Sequence, residues 1–183
     1  MKTEYLINQY GQYIKTLTGT TFEIIGQTPP NHSTVLLPPP RSTDYWTGTD
    51  WMPIGSPPAY YFKFDYVSRT WKDSRSLSEV KTLKWEEIKL ERNKQEFGGF
   101  VLNGKPFDSD YISQGRILAA YLFNQPVSWT LADDTVVELS VEEIQQLALA
   151  LGNHVTALHR RGRLARDAIN AANTISEVES VLF

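Results

Sequence analysis

The chain has 183 residues, 41% of them hydrophobic, and a formal net charge of −3. That is enough material for one ordinary domain or two small ones with a buried core, which excludes wholesale disorder. The acidic balance argues against a general nucleic-acid binder, whose grip depends on neutralising phosphates. Cysteine is absent, which removes disulfides, thiolate metal sites and cysteine nucleophiles together and leaves the redox compartment open.

The first residues, "MKTEYLINQYGQY", hold no apolar run of signal-peptide length. No window approaches the roughly 18 uninterrupted apolar residues of a membrane span. The expectation is a chain folded in a cytoplasm, with no membrane insertion. Composition changes near residue 70, where proline, tyrosine and tryptophan give way to Leu, Ala, Glu and Arg at helical spacing. The boundary falls between Thr70 and Ser76. The reading is an α+β chain: a Pro/aromatic-rich β module over 1–70, a connecting helix over 71–98, and a helical C-terminal domain with two β-hairpins over 99–183.

Within the first module, "YGQYIKTLTGTTFEIIG" is rich in Thr, Ile and Tyr, which predicts strand throughout. Pro29-Pro30 and Pro38-Pro39-Pro40 cannot sit inside a sheet and leave Val35 to Leu37 only a brief edge strand. "AYYFKFDY" alternates again. Ser76 and Glu79 form a capping box that opens a helix running to Phe97. Its residues Leu77, Val80, Trp85 and Ile88 share one face, and Leu83, Leu90 and Phe97, spaced by seven, share another. A helix apolar on two sides needs cover on two sides. Either neighbouring modules of the same chain cover the second face, or a second copy of the protein does.

Gly98-Gly99 ends that helix, Asn103-Gly104 fits the centre of a type I′ turn, and Asp108 is the predicted N-cap of the helix "SDYISQGRILAAYLF". "VSWTLADDTVVELS" reads as a second hairpin turning at Ala132 to Thr135. Ser140 with Glu143 opens the longest helix, whose stripe is Ile144, Leu147, Ala148, Leu151, Val155, Leu158, Gly162, Ala165 and Ile169, ending near Ala172. Thr174 with Glu177 caps a last short helix.

Chemistry-bearing patterns are scarce. His154 and His159 are five apart and do not share a face as a zinc pair would. Asp133-Asp134, Glu86-Glu87 and Glu142-Glu143 sit at turns or exposed helical positions, without the apolar frame that raises a carboxyl pKa. No serine-nucleophile, phosphate-loop or dinucleotide motif occurs. The expectation is therefore no enzyme, no metal and no cofactor. Arg160, Arg161, Arg163 and Arg166 could clamp an acidic partner or form the solvent side of the long helix; the absence of interleaved aromatics favours the second. Tyr45, Trp46 and Trp51, set among turn formers in "STDYWTGTDWMPIGSPP", could stack on a sugar or dock a partner. The reading favoured for the same rings is the core of a module that has little else large enough.

Taken together, the helix "EIKLERNKQEF", the F-D-S-D after a Gly-containing hairpin, the hairpin "WTLADDTVVEL" and the helix "ALGNHVTALHRRGR" occur in fixed order. In this the stretch from about Thr70 to Phe183 resembles a C-terminal domain of unknown function found in phage tail-fibre and tail-fibre-assembly proteins. The resemblance implies a structural tail-fibre or baseplate-associated protein of a virion tail, assembled in the host cytoplasm. It would act in fibre attachment and host recognition, with other tail subunits as partners, a homotrimer favoured, and a host surface glycan as a further contact. The alternative it implies is a tail-fibre assembly chaperone not retained in the virion.

Overall fold

In the computed structural model, which describes residues 1–183, the chain divides into two units, Met1–Arg75 and Ser76–Phe183. The architecture is α+β: the first unit is strand-rich, and the second holds the long helices together with two small antiparallel hairpins.

In the first unit β1 (Lys2–Asn8) is the central strand of a three-stranded antiparallel sheet, between β2 (Tyr13–Gly19) and β3 (His32–Val35). The strand run expected to continue through "TTFEIIG" instead turns into a helix, α1 (Thr21–Gln27). The cause is local. Thr20 caps the Glu23 N–H while the Glu23 carboxylate accepts from the Thr20 N–H, a reciprocal pair that outweighs the strand preference of Thr and Ile. Leu6, Leu17 and Ile24 make the buried cluster between sheet and helix. The edge strand expected at Val35 to Leu37 lies earlier, at His32–Val35, because Pro38 to Pro40 leave the following residues without ladder bonds.

Two more hairpins follow, β4 (Tyr45–Trp46) with β5 (Trp51–Met52), and β6 (Phe62–Asp65) with β7 (Thr70–Asp73). The first is tied to the turn after β1, where the Trp46 N–H donates to Gly11 O at 2.8 Å. Gly11 has φ +83°, and a Cβ there would stand 2.1 Å from Trp46 O, so only glycine permits this approach.

In the second unit, α2 (Leu77–Glu96) is followed by the hairpin β8 (Phe100–Leu102) and β9 (Lys105–Phe107). Both residues of its two-residue turn, Asn103 and Gly104, have positive φ, as a type I′ turn requires. The next helix, α3 (Tyr111–Phe123), is capped by Asp110, which accepts from the N–H groups of Ile112 and Ser113. The predicted cap, Asp108, is two residues too early, because Ser109 is drawn inside. Ser109 is fully buried, donates to Glu96 O and accepts from the Gly99 N–H, bolting the end of α2 to the hairpin.

Strands β10 (Val127–Thr130) and β11 (Val136–Leu139) pair, and α4 (Val141–Ala171) and α5 (Ile175–Glu179) complete the unit. Helix α4 is its spine. Ile144 and Leu147 join a cluster with Phe107, Ile117, Leu131 and Leu139. Further along, Ala165 and Ile169 join a second cluster with Val80 and Ile88 of α2 and Val178 of α5. Thus the helix read as a connector packs into the same unit as the helices after it. No helix is long and apolar enough to cross a membrane.

Candidate protein interaction surfaces

In the first unit the aromatic side chains gather around the two short hairpins. Trp46 and Trp51 face each other across β4 and β5 with ring centroids 5.5 Å apart, and Tyr13 meets Trp51 edge-on at 6.4 Å. Tyr45 stacks on Phe64 at 5.9 Å, and Phe64 meets Trp71 and Tyr66 edge-to-face. Such pairs are favourable beyond their buried area. Their polar tips are used up on loops: Trp51 donates to Leu37 O at 2.8 Å, Trp71 to Ile54 O at 3.0 Å and Tyr66 to Thr43 O at 2.9 Å.

Trp51 is only 8% exposed, so of the three predicted contact rings it is core. Tyr45 and Trp46 are half-buried and keep part of their faces toward solvent. Arg69 stacks over the Tyr45 ring at 5.1 Å. Asp44 is buried beside this cluster with no hydrogen-bond partner on Oδ1. Burial, with the Asp44 charge as a lesser cause, pushes the Tyr66 hydroxyl pKa up. At the β6–β7 turn, Asp65 is held down at about 2 by Lys72, by the Ser68 hydroxyl and by the Val67 N–H.

In the second unit the predicted stripe on α2 lies open to solvent. Leu83, Leu90 and Phe97 are 56%, 70% and 40% exposed, while Val80 and Ile88 on the other side are buried. The stripe borders a shallow groove of about 490 Å³ lined by Ile88, Leu90, Lys94, Val181, Leu182 and Phe183. Arg161 fixes its far wall, donating to Phe183 O at 2.8 Å and stacking over the Phe183 ring at 4.4 Å. Arg160, Arg163 and Arg166 are exposed on α4, and the Arg166 guanidinium lies over the Trp85 ring of α2 at 5.8 Å. The helix histidines serve packing: His154 donates from Nε2 to Gln95 O and stacks on Phe100, and His159 Nε2 lies 3.0 Å from Glu96 Oε2. No three His, Asp or Glu side chains converge on a point where a metal ion could sit.

Sequence reasoning did not single out the outer face of α3. Tyr111, Leu118 and Leu122 are all exposed there, alongside Ile112 and Phe123. The signal was present, since "YISQGRILAAYLF" carries one charge and is apolar on every side, a pattern that needs cover all round.

Residues 79–181 match the family model of a domain of unknown function, DUF4376. The chain belongs to this family. The DUF4376 match runs from the first turn of α2 to just past α5, so it spans nearly all of the second unit and none of the first. No curated protein and no solved structure matches the chain. The exposed stripe on α2 and the outer face of α3 lie within the DUF4376 match, the groove beside α2 runs past its end to Leu182 and Phe183, and the aromatic cluster lies outside it.

Proposed function

We propose that the chain is a structural, non-enzymatic component of a phage tail apparatus, a tail-fibre or baseplate-associated protein that acts in fibre attachment and host recognition. It works by offering surfaces to other subunits. The observation that carries this reading is the uncovered stripe Leu83, Leu90 and Phe97 on α2. Helices associate side by side through apolar positions that recur within each heptad, of which this stripe supplies one per repeat, and exposed apolar patches mark places where proteins meet. On this reading three copies bring their α2 stripes together. The likeness of the motifs in Thr70 to Phe183 to tail-fibre and tail-fibre-assembly proteins supports the same assignment. A glycan contact, if the first unit makes one, rests on Tyr45 and Trp46, because Trp51 is core.

A second reading, an assembly chaperone left out of the finished particle, is favoured by the outer face of α3, where Tyr111, Leu118 and Leu122 are uncovered as well. A helper that shields a client in passing would present such a face when free. Mass spectrometry of purified particles separates the two. A constant copy number alongside the fibre subunit is expected; absence from particles together with abundance in the infected cell overturns the structural reading and favours the chaperone. Light scattering tests the assembly: Leu83→Glu with Leu90→Glu should turn a trimer into a monomer, and a wild-type monomer at high concentration overturns the trimer.

A further inference from the structure

Helix α3 turns Ser113 and Ile117 inward, and Ile117 is wholly buried in the cluster at the start of α4. At 3.6 residues per turn, Tyr111, Gly115, Leu118 and Leu122 fall on the opposite side, within about 60° of one another. Ile112, Ala119 and Phe123 widen this strip to about 140°. Tyr111 is 85% exposed, Leu122 71%, Phe123 70%, Ile112 65% and Leu118 55%. The Tyr111 hydroxyl is the one polar side-chain group in the strip; Gln114 and Arg116 stand at its two borders. Cover over the whole strip would take about 700 Å² per copy out of water, close to the roughly 800 Å² that each side of a specific interface buries.

The shape of the strip says what fits it. Gly115 stands in the interior of α3, where glycine weakens a helix relative to alanine. Nothing within the chain calls for it: its φ is not positive, and a Cβ there would meet no atom within 4 Å. The missing side chain leaves a notch less than one turn from the ridge of Leu118. Turned end over end about a two-fold axis, α3 complements itself. Leu118 of one copy enters the notch at Gly115 of the other, Tyr111 lies on Leu122, and each contact is made twice. Two helices running the same way would set notch against notch and Leu118 against Leu118, leaving a gap that packing does not fill. A strip without charge also meets its own copy without placing like charges in the contact.

We propose that the outer strip of α3 binds the same strip of a second copy of the chain, antiparallel, about a two-fold axis near Arg116 and Ile117. With one helix per copy and no ion pair, the contact sits at the weak end of specific interfaces. It uses no residue of the α2 stripe and stands apart from the tail reading.

The chain has no cysteine, so disulfide trapping reads this weak contact where light scattering does not. The test oxidises a mixture of full-length Tyr111→Cys and Leu122→Cys proteins carrying different tags. In the antiparallel pair these two positions meet, whereas each stands about 16 Å along the axis from its own counterpart, beyond disulfide reach. The mixed disulfide is expected to form at least ten times faster than either self-disulfide. Adding Gly115→Glu, which meets no neighbour within the chain and favours helix over glycine, should abolish that preference. A mixed disulfide no faster than that between two chains carrying Thr156→Cys, an exposed site on α4, would overturn the proposal. So would self-disulfides as fast as the mixed one, or a preference that survives Gly115→Glu. Trapping of Leu118→Cys by Leu90→Cys ahead of Gly115→Cys would also overturn it, and would assign the face to the α2 stripe of a neighbouring copy.

Discussion

In Met1–Arg75 the buried aliphatic cluster is Leu6, Leu17 and Ile24, whereas Ser76–Phe183 carries two clusters of six buried residues strung along α4. The first unit makes up the difference with rings and tethers: Trp51, Trp71 and Tyr66 each reach a loop carbonyl more than ten residues away in sequence. The second unit relies on helical periodicity, with capping boxes at Ser76, Ser140 and Thr174 setting where α2, α4 and α5 start and Asp110 setting the start of α3. One region is therefore held by specific polar contacts at the ends of aromatic side chains, and the other by the volume of its apolar stripes. The two should respond differently to the same kind of damage.

The largest effect belongs to the second unit. Phe107 is 2% exposed, stacks on Phe100 at 5.9 Å and sits in the cluster formed by the start of α4. Phe107→Ala is expected to cost about 4 kcal/mol, the sum of lost burial and the cavity left behind. Denaturant melts followed by hydrogen exchange within residues 76–183 measure it. A loss under about 1 kcal/mol would mean that the cluster collapses around the gap, and that volume is not what holds this unit.

A smaller loss, of a different kind, is expected from Trp51→Phe in the first unit. The edge contact with Trp46 is partly kept, and what goes is the N–H donated to Leu37 O together with one ring of a buried indole. The expected cost is about 2 kcal/mol, with faster amide exchange across residues 34–37. The comparison sharpens if Trp46→Phe, whose indole N–H makes no such tether, is near neutral. It breaks if the two substitutions cost the same.

Much of the second unit was legible because its signals are local. A Ser or Thr followed three residues on by Glu, then apolar residues at three and four, fixes α2, α4 and α5, and Asn103-Gly104 fixes the turn between β8 and β9. The same capping signature is present at Thr20 and Glu23, but the Thr and Ile around it are strand formers, and which preference wins at α1 is decided by the reciprocal cap seen in the structure. The D-S-D triplet at Asp108 to Asp110 offered three polar caps, and only the burial of Ser109 decides among them. The α2 stripe could be placed because seven-residue spacing is a property of one helix. Trp51 could not be told from Trp46, because which ring is inside depends on how β4 and β5 pair and what lies behind them.

The smallest expected effect is that of acid, and it separates the helix caps of both units from the β6–β7 turn of the first. Glu79, Glu143 and Glu177 are each held below the ordinary 4.5, first by the backbone N–H groups of Ser76, Ser140 and Asn173 respectively. A carboxyl depressed in the folded state contributes stability that is complete above its unfolded value and is lost as pH falls through the folded one. The window for these three therefore opens just below pH 4.5. Glu23 behaves alike on α1, but the β6–β7 turn of the first unit depends on Asp65, which stays charged down to about 2. These groups are exposed, so protonation should fray first turns without unfolding either unit. As pH falls, protection against amide exchange, taken relative to the intrinsic rate at each pH, should drop at Ser76 and Val80 and at Ser140 and Ile144 well before it does at Val67. Simultaneous loss at both places would mean that the caps and the turn are not governed by their own carboxylates.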